Sequence, residues 1–175
     1  MVGEFDNNIY PTETSFFGFP DFLDGTGSLL TAWGYLPPGY YDDTAGRQVV
    51  LVENVRDASY YDSSYPFYIA GFYSGALEVY FGRNTMTIDA YDWENRTGPD
   101  SARPYLYEGT FAHEYQHLLH DDYDPAEENW INEGLSDWAE GLCGYGYPDG
   151  HTGFYASYPE NSLVDWGDQG DLEIL

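Results

Sequence analysis

The run His113-Glu114-Tyr115-Gln116-His117 restricts this chain more tightly than any other stretch. On an α-helix of about 3.6 residues per turn, residues four apart share a face, so both imidazoles can point at one metal ion. Glu114 lies on the neighbouring strip. Its carboxylate can reach a water at the metal without binding the metal itself, which is the placement a general base requires. The flanking residues Phe111, Ala112, Tyr115, Gln116, Leu118 and Leu119 carry no charge, which predicts a helix buried on one side and electrostatically quiet around the ion.

Two histidines leave a catalytic zinc one protein ligand short. Glu133 supplies the third, because it opens a second helical pattern from Asn132 to Cys143. In that pattern Leu135, Trp138, Ala139 and Leu142 recur at helical intervals before Gly144. Asp137 lies one turn beyond Glu133, placed to accept a hydrogen bond from the far nitrogen of a ligand histidine and fix its tautomer. Between the helices, His120 to Trp130 is long enough for an antiparallel return, with Asp124-Pro125 suited to start a short helical turn.

Asn132, Glu133 and Asp137 also match the Asn-Glu-x-x-x-Asp motif of the gluzincin zinc metallopeptidases, the thermolysin-like group that this region resembles. The gap from His117 to Glu133 is shorter than in thermolysin. With Trp130, Glu133, Gly134, Leu135 and Ser136 it is similar to the compact MA-like bacterial peptidases, and the upstream half loosely resembles secreted proteases of the immune-inhibitor type. The specific part of the resemblance covers about residues 105 to 145. It implies zinc bound by His113, His117 and Glu133, water activation by Glu114, orientation of His113 by Asp137, and a zincin-like α+β fold.

Other metal chemistries fit less well. A di-iron carboxylate bundle needs Glu-x-x-His on two helices, and Glu114-x-x-His117 occurs once. A metzincin would carry a third histidine where Tyr123 stands. His120 and Asp121 are reserve ligands should Glu133 not serve, but three residues beyond His117 the side chain of His120 points well round the helix. If no ion bound, His113, His117 and the two acids would sit on buried helix faces at a free-energy cost unless paired.

The chain has 175 residues, one domain or most of one, with 31 acidic residues, 5 arginines, no lysine and a net charge of -26. Such a field repels nucleic acid and anionic membranes. It suits a secreted protein, although no basic and apolar signal segment precedes the body and no stretch is apolar enough to span a bilayer. An aromatic content of 19% separates it from disordered acidic segments. Cys143 has no partner for an internal disulfide and reads as a small apolar residue near a helix end. Asp171 to Leu175 reads as the start of an element, which suggests a fragment of a longer precursor.

Residues 1–46, rich in Gly, Pro, Asp and Tyr, read mainly as loops, with a short helix at Ser28–Trp33. Strands are expected at Gln48–Val55, Phe67–Tyr73 and Thr85–Ala90, while Leu77–Phe81 fits strand or helix. Sheet at 47–95 followed by zinc-site helices at 105–145 predicts an α+β fold with the metal helix on one face of a small mixed sheet. The zincin resemblance implies a strand at the sheet edge that lines the cleft and pairs with extended substrate through its main chain, and Thr85–Ala90 is the candidate for it. The acidic runs Asp21–Ser28 and Asp121, Asp122, Asp124 could hold calcium, but neither completes an EF-hand loop, so no residue is assigned to it.

These expectations converge on a zinc-dependent, secreted endopeptidase acting on protein or peptide. Candidate oxyanion donors are Tyr123, Tyr145, Tyr147, His151 and Tyr155, none of them singled out. The rival reading is a zinc-holding binding or adhesion domain of the same fold without useful peptidase activity. Retention of Glu114 counts against it, since a structural zinc needs no general base.

Overall fold

In a computed structural model, residues 1–160, 162 and 164 are described. Asp171–Leu175 lies outside the described residues. The helices are α1 (Val2–Glu4), continued by a π-helical turn (Phe5–Ile9) into α2 (Tyr10–Phe17), then α3 (Leu29–Ala32), α4 (Ala58–Tyr61), α5 (Gly75–Phe81), α6 (Leu106–Tyr123), α7 (Asn129–Leu142) and α8 (Asp149–Ser157). The strands are β1 (Val49–Glu53), β2 (Gly71–Tyr73) and β3 (Thr85–Asp89). The fold is mixed α+β, with one three-stranded sheet among the described residues in the order β1-β3-β2.

β3 runs parallel to β1, Val49 opposite Thr85, and antiparallel to β2, Gly71 opposite Ile88. All five of its residues are buried. Met86 and Ile88 join the apolar core with Phe111, Ala112, Tyr115, Leu118 and Leu119 of α6, while Thr85, Thr87 and Asp89 alternate to the other face. The expectation that Thr85–Ala90 forms the cleft edge is therefore wrong. Alternation identifies a strand but not its place in the sheet, and β3 is hydrogen-bonded on both sides. The edge beside α6 is β2, shorter than the run Phe67–Tyr73 suggested.

Residues 2–17 are helical, not looped. Phe5, Ile9, Glu13 and Phe17 recur every four residues and turn one stripe toward α6. There Phe5 stacks on Phe111 at 4.9 Å and meets Tyr115 edge-on at 5.1 Å. Pro11 has no N–H to give, and the helix meets it directly after the π-helical turn, in which Tyr10 N–H reaches Phe5 O. The reading of residues 1–46 as mainly loop fails over this segment because Asp6, Asn7, Asn8 and Pro11 mask the stripe. Glu13, fully buried, accepts from the Cys143 thiol at 3.7 Å, and burial pushes its pKa well above the usual carboxylate range.

Ser28 caps α3 through its hydroxyl, and Leu77–Phe81 resolves as helix, ending at Gly82 with φ 64°. Asp124 closes a turn before α7, its carboxylate accepting from Ala126 N–H at 3.2 Å. Among the described residues no helix is long and apolar enough to cross a membrane.

Candidate metal centre

α6 and α7 pack against each other and bring the sequence-predicted residues together. His113 Nε2 and His117 Nε2 lie 3.3 and 3.4 Å from the same oxygen, Glu133 Oε2. The ligand atoms of these residues all fall within 4.8 Å of one another. That is the convergence expected when two histidines at i and i+4 face a carboxylate on the next helix.

The far ring nitrogens are held too. His117 Nδ1–H donates to Asn132 Oδ1 at 2.8 Å, with Ser136 Oγ 3.1 Å away, so the ring turns Nε2 toward Glu133. His113 Nδ1 lies 3.3 Å from both Asp137 Oδ1 and Glu140 Oε1. Asp137 has a second partner, because His151 Nδ1–H donates to its Oδ2 at 2.8 Å. Glu140 had no role in the sequence reading, Asn132 and Ser136 entered it only as motif positions, and His151 only as a candidate oxyanion donor. Glu133, Asp137 and Glu140 form an i, i+4, i+7 stripe on α7, so spacing alone could have found Glu140.

Electrostatics fits a cation at this point. Burial disfavours charge on His113, yet Asp137, Glu133 and Glu140 outweigh it and raise the imidazole pKa well above its usual range. Burial would likewise raise Glu133, but hydrogen bonding to His113 and His117 brings it down to about 2. Either protons on the two Nε2 atoms or a cation in their place must stand between the imidazoles and the carboxylate oxygen they share. A zinc-type donor set of two nitrogens and one oxygen supplies the place for such a cation.

Glu114 stands beside this triad with 8% of its surface exposed. Its Oε2 accepts from Tyr73 N–H of β2 at 2.8 Å. Burial raises its pKa, and the neighbouring His113 and His117 pull it back. No side-chain pattern announces this contact, since the donor is a main-chain group.

A cleft of about 530 Å³ opens on the site, with Gly71, His113, Glu114, Glu133, Glu140 and His151 in its walls. A larger cavity of about 670 Å³, mainly apolar and lined by residues such as Phe5, Val50 and Trp93, contains none of the ligand set. Of the candidate oxyanion donors, Tyr147 and His151 line the cleft. Tyr145 does as well, but its hydroxyl donates to Glu4 at 2.9 Å. Tyr123 is tied to the backbone of Phe19, and Tyr155 is not in the cleft wall. The reserve ligands are engaged elsewhere: His120 contacts Gln116, and Asp121 accepts from Tyr73 Oη. Among the described residues, neither Asp21–Ser28 nor Asp121–Asp124 gathers into a ligand group. Asp24 instead accepts from Thr26 within its own turn.

Comparison of the chain with protein families, curated proteins and solved structures gave no match.

Proposed function

We propose that this chain is a zincin-like, gluzincin-type zinc peptidase, a hydrolase of peptide bonds that works outside the cell. The observation that carries the reading is the meeting of His113 Nε2, His117 Nε2 and Glu133 Oε2 beside a buried, independently anchored Glu114. The placement outside the cell draws on the resemblance and on the acidic surface. A zinc ion held by the three ligands supplies Lewis acidity, polarising a carbonyl and making water easier to deprotonate.

The chain's own residues provide the rest. Tyr73 N–H holds Glu114 Oε2, which leaves Oε1 to take a proton from water and pass it to the departing amine. Burial favours the protonated form, so Glu114 is a stronger base than an exposed carboxylate. β2 supports substrate main chain. Asp89 N–H bonds Ala70 O on the β3 side, and antiparallel pairing alternates, so Gly71 N–H and C=O face away from β3 toward the cleft. An extended peptide can pair there one residue before the point where Phe72 leads to the Tyr73–Glu114 contact.

Zinc analysis and peptide cleavage by the intact protein test the proposal. One zinc per chain is expected, with Glu114→Gln retaining the metal and losing about 10²- to 10⁴-fold in kcat. Bound zinc with no cleavage by the wild type would leave the binding-domain reading. A wild type that takes up no metal at neutral pH would overturn both.

A further inference from the structure

Resting on the peptidase reading, we infer that the preferred substrates are cationic peptides, held by an acidic, tyrosine-lined cleft. The first observation is where the protein's own cations go. Arg47 and Arg83 both pair with Asp43, at 2.9 and 3.2 Å. Arg83 also donates to the backbone of Tyr41 and Arg47. Arg56 lies over the ring of Tyr60, and Arg96 is buried among the rings of Tyr68, Tyr91 and Tyr107. None of the five arginines lines the cleft, although Arg103 adjoins the cleft residue Pro104 and its charge, like that of Arg96, acts on Tyr68, and the chain has no lysine.

The second observation is what the cleft offers instead. Glu114, Glu133 and Glu140 are in its wall with Asp137 directly behind, four carboxylates against the two charges of a divalent ion. Tyr105, Tyr145 and Tyr147 add rings to the wall, beside Tyr68, whose ring already carries Arg96. Tyr68 shows what such a ring does in this protein, since the Arg96 guanidinium sits 4.4 Å from its centroid. The third observation is the net charge of -26, whose field draws positive chains in and repels acidic ones, with an effect that salt suppresses.

The test uses peptides of one length and one central sequence whose flanking residues are arginine, its neutral isostere citrulline, or glutamate. At about 20 mM salt, kcat/KM should fall by about tenfold or more from arginine to citrulline and further to glutamate, and the spread should narrow at about 500 mM. Equal rates, or a reversed order, would overturn the inference while leaving the peptidase reading intact. Absence of any cleavage would instead count against the peptidase reading. Fluorescence anisotropy of the labelled peptides on the zinc-loaded protein then decides the inference separately. Tighter binding of the arginine peptide that Tyr147→Ser weakens by about threefold supports it, and binding that is absent or indifferent to Tyr147→Ser overturns it.

Discussion

Tyr73 joins two clusters of acids that behave in opposite ways. At its backbone N–H lies Glu114 and, beyond it, Glu133 between two imidazoles. At its phenol end Tyr73 Oη lies 2.8 Å from Asp121 Oδ2 and 3.1 Å from Glu78 Oε2. Burial opposes ionisation in both places. Around Glu133 the histidines win, and its pKa drops to about 2. Around Glu78 the strongest effect is burial itself, reinforced by Asp122 and Asp121, and its pKa climbs to about 7 although Tyr73 and the Thr85 amide favour the anion. One phenolic proton cannot serve two carboxylates at once. The number of acids is thus a poor guide to chemistry; what matters is whether a positive partner faces them.

The sharpest way to break this comparison is to remove the acid that the histidines face. Glu133→Ala should weaken zinc binding by more than about 100-fold, the upper range seen when only a partner behind a ligand is lost. Asp121→Asn, at the other end of Tyr73, should leave zinc affinity unchanged. Competition with a chromophoric chelator measures both, and equal losses would show that the two clusters are one electrostatic unit.

Glu78 gives the next effect. Its folded-state pKa lies above its ordinary 4.5, so the folded protein holds this proton more tightly than the unfolded chain does. Its contribution is most favourable below pH about 4.5, declines as pH rises to about 7, and is level above that. The difference amounts to roughly 3 kcal/mol. Glu78→Gln keeps an acceptor for Tyr73 and removes the charge. Denaturant unfolding at pH 8 should find the variant more stable by that order, with the gap closing toward pH 4.5. A gap that does not depend on pH would show that the proton is not the cause.

The grouping of the candidate ligands was legible in the sequence because its information is local. His113 and His117 are bound to one face by helical spacing, and Glu133 and Asp137 share a second stripe, so residue type and interval sufficed. The sheet was legible only in part. β-branched runs marked β1 and β3, but strand order depends on which chains pair across the fold, and Thr85–Ala90 was set at the edge when it lies in the centre. Tyr73 escaped because its service to Glu114 is a backbone N–H, which any residue but proline carries. The N-terminal helix escaped because one of its buried positions is a glutamate, and a stripe of Phe5, Ile9, Glu13 and Phe17 does not read as apolar.

The smallest predicted effects separate the two ligand histidines from each other. His117 Nδ1 has its close acceptor, at 2.8 Å, in the amide of Asn132, with the Ser136 hydroxyl farther off. His113 Nδ1 faces two carboxylates at 3.3 Å, and one of them, Asp137, is drawn on its other oxygen by His151. Losing a single acceptor should therefore matter more at His117. Asn132→Ala should lower zinc affinity by about 10- to 100-fold, whereas Asp137→Asn should cost less because Glu140 remains to hold the ring. The double change Asp137→Asn with Glu140→Gln should then exceed the sum of the two single effects. Additive losses would mean that the two acids hold His113 independently, and an Asp137→Asn loss as large as that of Asn132→Ala would mean that Glu140 cannot replace Asp137.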